Sequence, residues 1–302
     1  MGLGPLVDVI LREHTHKPLH GDALFIGRQT VSLTGDEALA KLQSYGICPA
    51  NPASIEIDTS TIHHRPGFES SISDVSFLRL LGLRNIRALD HSPYEKAEII
   101  HDLRRPLPWR LRRSADIVID GSTLDNVFTP ATVLQNFARL LKPGGRLFML
   151  NAGSPYDTAY VLTTPMWYVD YFVTNGFADC KVYAVVGDEM NFDKKNSNKK
   201  NFDDFNVFYV DLAQIESRRR EMGRFLSSRP LSIVVFAEKG THSSWDKLPI
   251  QQDYRSPEEW KSYLSNIAAM LQSKRPHLLA SNTERFVSDS EVKGGHIYIA
   301  AD

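Results

Sequence analysis

Cysteine is scarce in this chain: among 302 residues there are two, Cys48 and Cys180. Two thiols cannot form a disulfide framework or a four-cysteine zinc site. A reduced, cytoplasmic setting is therefore the expectation. No apolar run reaches the roughly 18 residues that a membrane-spanning helix requires, so no membrane role is expected. The N-terminus lacks the basic-then-apolar order of a secretory signal; residues 6–11 are apolar, but Arg12 and Glu13 follow at once. An excess of either charge is also missing. With 35 Lys and Arg against 36 Asp and Glu, the formal charge is −1. That balance argues against a nucleic-acid substrate and against attraction to an anionic surface. No GxGxxG turn joins a strand to a helix, which disfavours a nicotinamide dehydrogenase. His14, His16 and His20 crowd the first twenty residues, but their i, i+2, i+6 spacing does not stack them on one helical face. No cysteine or carboxylate cluster joins them, and no metal site is expected.

The chain does hold an alternation of short apolar runs with helical patterns. DALFIG at 22–27 reads as a buried strand ending in glycine, and residues 54–57 read as a possible second one. Thr34 and Glu37 form a capping box that opens a helix running to Tyr45 before Gly46. Ser73 to Leu81 reads as helical, with Gly82 ending it. NIRALD at 85–90 and ADIVID at 115–120 read as strands that end in aspartate. Thr129 to Leu141 reads as a helix, with Pro130 suited to its first position. Its apolar residues Val133, Leu134, Phe137, Leu140 and Leu141 recur at helical spacing. Pro143-Gly144-Gly145 then turns the chain into a strand at 146–151. A helix over 165–174 closes at Asn175-Gly176, and strands follow at about 180–186 and 231–237.

Strands alternating with helices predict a Rossmann-like, doubly wound, mostly parallel α/β sheet. Such sheets bind ligands at the carboxyl ends of their strands. Here those ends carry Gly27, Asp90, Asp120 and Asn151. Three parts are expected: an N-terminal arm or helix (1–20), the Rossmann domain (21–240) and a C-terminal helical extension (241–302). The polar stretch 187–206 reads as a solvated insertion within the domain.

Three stretches within 85–177 resemble the class I S-adenosylmethionine-dependent methyltransferases. ADIVIDGSTLDNVF at 115–128 is similar to the family's fourth strand and the loop after it. RLLKPGGRLFML at 139–150 is similar to the helix, turn and fifth strand that follow. EIIHDL at 98–103 is similar to the segment that faces the adenine, and Asn175-Gly176-Phe177 matches the approach to the late strands. One departure stands out. The family's first strand leads into a glycine-rich loop, whereas LFIGRQT at 24–30 keeps only Gly27 and sets Arg28 and Gln29 where small residues belong. The loop is a degenerate version of the family's.

The resemblance implies S-adenosylmethionine as cofactor. Gly27, Arg28 and Gln29 would form the loop beside it. Asp90, with His91 next to it, would accept hydrogen bonds from the ribose hydroxyls, a task suited to a carboxylate; a plain loop-capping Asp is the alternative. Asp102 and Leu103 would face the adenine, unless Asp102 pairs with a nearby arginine at 104, 105 or 110. Asp120, Gly121 and Ser122 would border the methionine moiety, with a turn-capping Asp120 as the alternative. His101 and Asp125 are candidate catalytic residues, because both lie near these motifs. Arg104, Arg105, Arg110, Arg112 and Arg113 read as a solvated basic segment, and Arg218–Arg220 as an exposed helical one. Tyr156, Tyr160, Trp167, Tyr168 and Tyr171 are either pocket walls or core. The implied activity is methyl transfer to a small-molecule or sugar-like acceptor. A non-catalytic binding or assembly subunit of the same fold, with a homo-oligomeric or protein partner, is the alternative.

Overall fold

A computed structural model describes residues 2–61, 69–154, 159–186, 206–215, 225–227, 231–272, 283–285 and 297–299. Most of the expected insertion (187–205), Tyr156 and Arg218–Arg220 lie outside the described residues. The strands are β1 (Asp22–Ile26), β2 (Asn85–Asp90), β3 (Ile99–Ile100), β4 (Ala115–Gly121), β5 (Leu141–Ala152), β6 (Asp179–Val186), β7 (Asn206–Tyr209), β8 (Phe225–Ser227), β9 (Leu231–Glu238), β10 (Thr283–Arg285) and β11 (Ile297–Ile299). The helices are α1 (Leu6–His16), α2 (Gly35–Ser44), α3 (Asp74–Leu80), α4 (Pro130–Leu140), α5 (Pro165–Thr174) and α6 (Pro257–Gln272).

A nine-stranded sheet runs in the order β10-β7-β6-β9-β5-β4-β1-β2-β3. Strands β1 to β5 are parallel to one another, and β9 runs antiparallel between β5 and β6. The chain leaves β1 outward to β2 and β3, then returns to the other side of β1 as β4 and β5. The sheet therefore changes winding direction between β1 and β4, which opens a crevice beyond their carboxyl ends.

Burial on both faces explains why these strands read as continuous apolar runs. Side chains alternate across the sheet. Leu24 and Ile26 of β1 join the core under α4, α5 and α6, while Ala23 and Phe25 join the core under α1, α2 and α3. Each fully buried Leu, Ile or Phe contributes about 1.5–3 kcal/mol. A buried ion pair, Glu13 to Lys181 at 2.7 Å, ties α1 to β6. Burial raises the Glu13 carboxyl above its usual range even though Lys181 opposes the shift.

The local signals explain the helix ends. Thr34 Oγ1 accepts from the Glu37 amide at 3.3 Å and the Glu37 carboxylate accepts from the Thr34 amide at 2.8 Å. Pro143-Gly144-Gly145 sits inside β5 as an irregularity: Leu141 pairs with Ala115 before it and Arg146 with Ile117 after it. The strand expected at 54–57 does not form. Pro52–Ser54 is a 3-10 turn, and only Ile57 bridges Ile72. The reason is that the Glu56 amide donates to the Ser76 hydroxyl at 2.8 Å, so a side chain takes the bond a neighbouring strand would supply. In the C-terminal part, α6 packs on α5, where Tyr263 donates to Asp170 at 2.8 Å, and β10 pairs with β7 in the main sheet.

Candidate functional site

Two adjoining cavities lie in the crevice, of about 610 Å³ and 240 Å³. They share Ile26, Gly27, Asp90 and Thr123. The larger also holds His91, His101, Asp102 and Leu103; the smaller holds Arg28, Gln29, Gly121 and Ser122. Ten of the twelve residues singled out in the sequence thus meet in one crevice, apart from Asp120 and Asp125.

Gly27 follows β1 with φ at +66°, a left-handed conformation that glycine adopts without penalty. Its amide donates to Leu89 O at 2.8 Å, so the β1–β2 pairing continues to the mouth of the crevice. Asp90 ends β2 beside it. Asp90 Oδ1 accepts from the Ser92 amide at 3.0 Å and lies 2.7 Å from His91 Nδ1. Its Oδ2 stands over Gly27, where a β-carbon would be in ordinary contact at 3.4 Å. That oxygen takes no hydrogen bond from a described residue and is open to a donor in the crevice.

The far wall comes from β3 and the loop after it. The His101 amide donates to Asp90 O at 2.8 Å, and its buried Nε2 has no partner among the described residues. Asp102 is clamped by Arg104, whose Nε and Nη2 each donate at 2.9 Å. The Arg104 hydrogen bonds hold the Asp102 carboxyl down at about 2. The alternative arginine pairing is therefore present, although Asp102 still lines the cavity. Leu103 is buried and offers an apolar surface. Asn136 of α4 fixes this loop: its Nδ2 donates to Leu103 O at 2.9 Å and Arg105 O at 2.8 Å, and its Oδ1 accepts from the Leu107 amide at 2.9 Å.

The β4 end is built around two enclosed carboxylates that line neither cavity. Asp120 accepts from the Thr123 amide at 2.9 Å and the Leu124 amide at 3.4 Å. Burial pushes its carboxyl up to about 7. Asp125 accepts from Ser122 Oγ at 2.7 Å and from the Ala152 amide at 2.6 Å. Burial raises it as well. Ser122 has φ at +79°, and its bond to Asp125 pins that strained turn.

The loop after β1 is held from behind. Arg28 pairs with Glu98 at 2.6 Å and reaches Asp74 at 3.5 Å. Asp74 Oδ2 accepts from the Gln29 amide at 3.0 Å. Burial is the main cause that lifts the Asp74 carboxyl to about 6, with Arg28 pulling the other way.

Sequence reading did not single out Asp74, Glu98, Thr123, Asn136 or Phe128. Asn136 carried a signal, as a polar residue on the otherwise apolar face of α4. Of the aromatic group, Tyr160 is exposed at the rim and meets Phe128 edge-on at 6.5 Å. Tyr168 and Tyr171 are core, and Trp167 packs partly buried against it.

The parallel order β3-β2-β1-β4-β5 is continued by antiparallel β9 and then β6. The chain has a Rossmann-like, doubly wound α/β fold. Solved structures similar to it include an S-adenosylmethionine-dependent methyltransferase from Thermotoga maritima, at 14% identity over 78% of this chain and 92% of that one, with a TM-score of 0.34. The YcgJ protein of Bacillus subtilis is similar at 12% identity over 78% and 98%, with a TM-score of 0.37. Phosphoethanolamine N-methyltransferase 2 of Haemonchus contortus, in complex with S-adenosyl-L-methionine, is similar at 12% identity over 78% of this chain, with a TM-score of 0.37; the match spans 52% of that protein. No protein-family model matches the sequence, and no curated protein matches it. On one side of the crevice stand the Asp90 carboxylate, His101, Asp102 and the apolar Leu103. On the other side, the Gln29 side chain stands between the β1 loop and Gly121.

Proposed function

We propose that the crevice binds S-adenosylmethionine by its adenosyl group and that the protein transfers the methyl group to a small-molecule or sugar-like acceptor. The observation that carries this reading is Asp90 Oδ2, unpartnered over side-chain-free Gly27 where the two cavities meet. A carboxylate so placed accepts from vicinal ribose hydroxyls with charge-assisted hydrogen bonds. Leu103 then faces the base, and His101 with Asp102 borders its polar edge.

The bound cofactor supplies a methyl group activated by a sulfonium. The chain aligns the acceptor and excludes water, which is most of what an in-line displacement requires. Phe128 and Tyr160 at the rim offer flat apolar surfaces for an acceptor. His101, the candidate base by sequence, stands on the adenine side of this arrangement and away from the sulfonium, so no proton acceptor is assigned. Asp125 acts through Ser122, by setting the turn that borders the crevice.

Incubation with methyl-labelled S-adenosylmethionine and a panel of small hydroxyl and amine acceptors tests the proposal. Label in a small product with equal S-adenosylhomocysteine supports it. Absence of both, with no cofactor binding, overturns it. Gln29 in the tail half of the crevice supports a second reading, a non-catalytic binding or assembly subunit. That reading expects a stable homo-oligomer or protein partner and no turnover.

A further inference from the structure

At the carboxyl end of β1, the carbonyls of Ile26 and Gly27 converge on the smaller cavity. Two carbonyl oxygens facing one space attract a donor, and a cationic one most of all. Gln29 already occupies that space: its Nε2 donates to Ile26 O at 2.8 Å and to Gly27 O at 3.4 Å. Its Oε1 is buried, has no partner among the described residues, and packs on Gly121 so closely that a β-carbon there would overlap it. The backbone of this loop is held by Asp74 on the Gln29 amide, and the Arg28 side chain is paired with Glu98. The side chain is tied at one end only, through its Nε2, and its unpaired acceptor weakens its hold on the buried position.

We propose that Gln29 sets which adenine nucleosides the crevice accepts: its carboxamide stands in for the ammonium of an amino-acid tail. A nucleoside without such a tail binds directly, whereas one that carries it must first turn Gln29 out. This rests on the adenosyl reading of the larger cavity.

The test is calorimetric titration of 5′-methylthioadenosine and of S-adenosylhomocysteine into the full chain and into Gln29→Ala, with melting curves of both. The two ligands share the nucleoside and differ in the tail. The expected result is about a tenfold gain in S-adenosylhomocysteine affinity in the variant, with the 5′-methylthioadenosine affinity changed less than about twofold. An unchanged or weaker S-adenosylhomocysteine affinity, with 5′-methylthioadenosine still bound, overturns the inference and leaves the adenosyl site standing. Failure of the full chain to bind 5′-methylthioadenosine overturns both. If Gln29→Ala does not fold, Gln29→Glu decides by the same readout, since its carboxylate keeps the size and is repelled by the two carbonyls.

Discussion

Gln29 and Gly121 face each other across the carboxyl ends of β1 and β4, and the Gln29 carboxamide oxygen occupies the place where a β-carbon on residue 121 would stand. Glycine at 121 is thus required by a neighbour's side chain rather than by its own backbone angle. Gly121→Ala is expected to destabilise the wild-type chain and to cost much less in a Gln29→Ala background. Urea unfolding of the two single variants and the double variant gives the coupling, expected at about 1–3 kcal/mol. Additive effects would show that the two residues do not share this space.

Asp125 is expected to fail as a general base and to matter for stability. Its carboxylate is enclosed and holds Ser122 and the Ala152 amide. Asp125→Ala leaves both donors buried without an acceptor, a loss of about 1–3 kcal/mol for each. Chemical unfolding checks this. Loss of turnover at unchanged stability would assign Asp125 a direct chemical role instead.

Asp120 predicts a pH dependence. Its carboxyl stands at about 7 in the folded chain against 3.8 for an unperturbed one. The folded state therefore holds the proton more tightly. The stability that this proton supplies is fully present below about pH 4 and is lost as pH rises through about 7. Asp120→Asn removes the titration. Relative to wild type, the variant is expected to gain up to about 4 kcal/mol between pH 4 and pH 8. Paired urea titrations at those two pH values measure the gain, and a constant difference would contradict the account.

Asn136 links the helix layer to the loop that walls the larger cavity. Asn136→Ala frees the 103–107 loop by removing three hydrogen bonds. A loss of about 2–4 kcal/mol in stability is expected, together with weaker binding of 5′-methylthioadenosine as Leu103 loses its support. Melting and titration of the same sample separate the two effects.

Much of this arrangement was legible in the sequence, because its signals are local. Thr34 and Glu37 announce their capping box, and the apolar runs around Phe25 and Ile119 announce strands buried on two faces. The strand ends at Gly27, Asp90 and Gly121 drew attention by residue type alone. What stayed hidden depends on the fold bringing distant residues together. Glu98 is distant from Arg28 in sequence, and nothing near either residue announces their pairing. Asp120 and Asp125 look like ligand contacts in sequence, yet backbone amides of Thr123, Leu124 and Ala152 use their oxygens. The missing strand at 54–57 has the same cause, because the Ser76 hydroxyl replaces a strand partner.

The central claim is that Asp90 holds the ribose of an adenosyl ligand. Calorimetric titration of S-adenosylhomocysteine into the wild-type chain and Asp90→Ala tests it most directly. The account predicts binding in the wild type and at least about a tenfold loss in the variant, as expected for a charge-assisted hydrogen bond, with the melting temperature retained. Equal affinity in the two proteins would contradict it, as would a wild-type chain that binds neither S-adenosylhomocysteine nor 5′-methylthioadenosine at millimolar ligand.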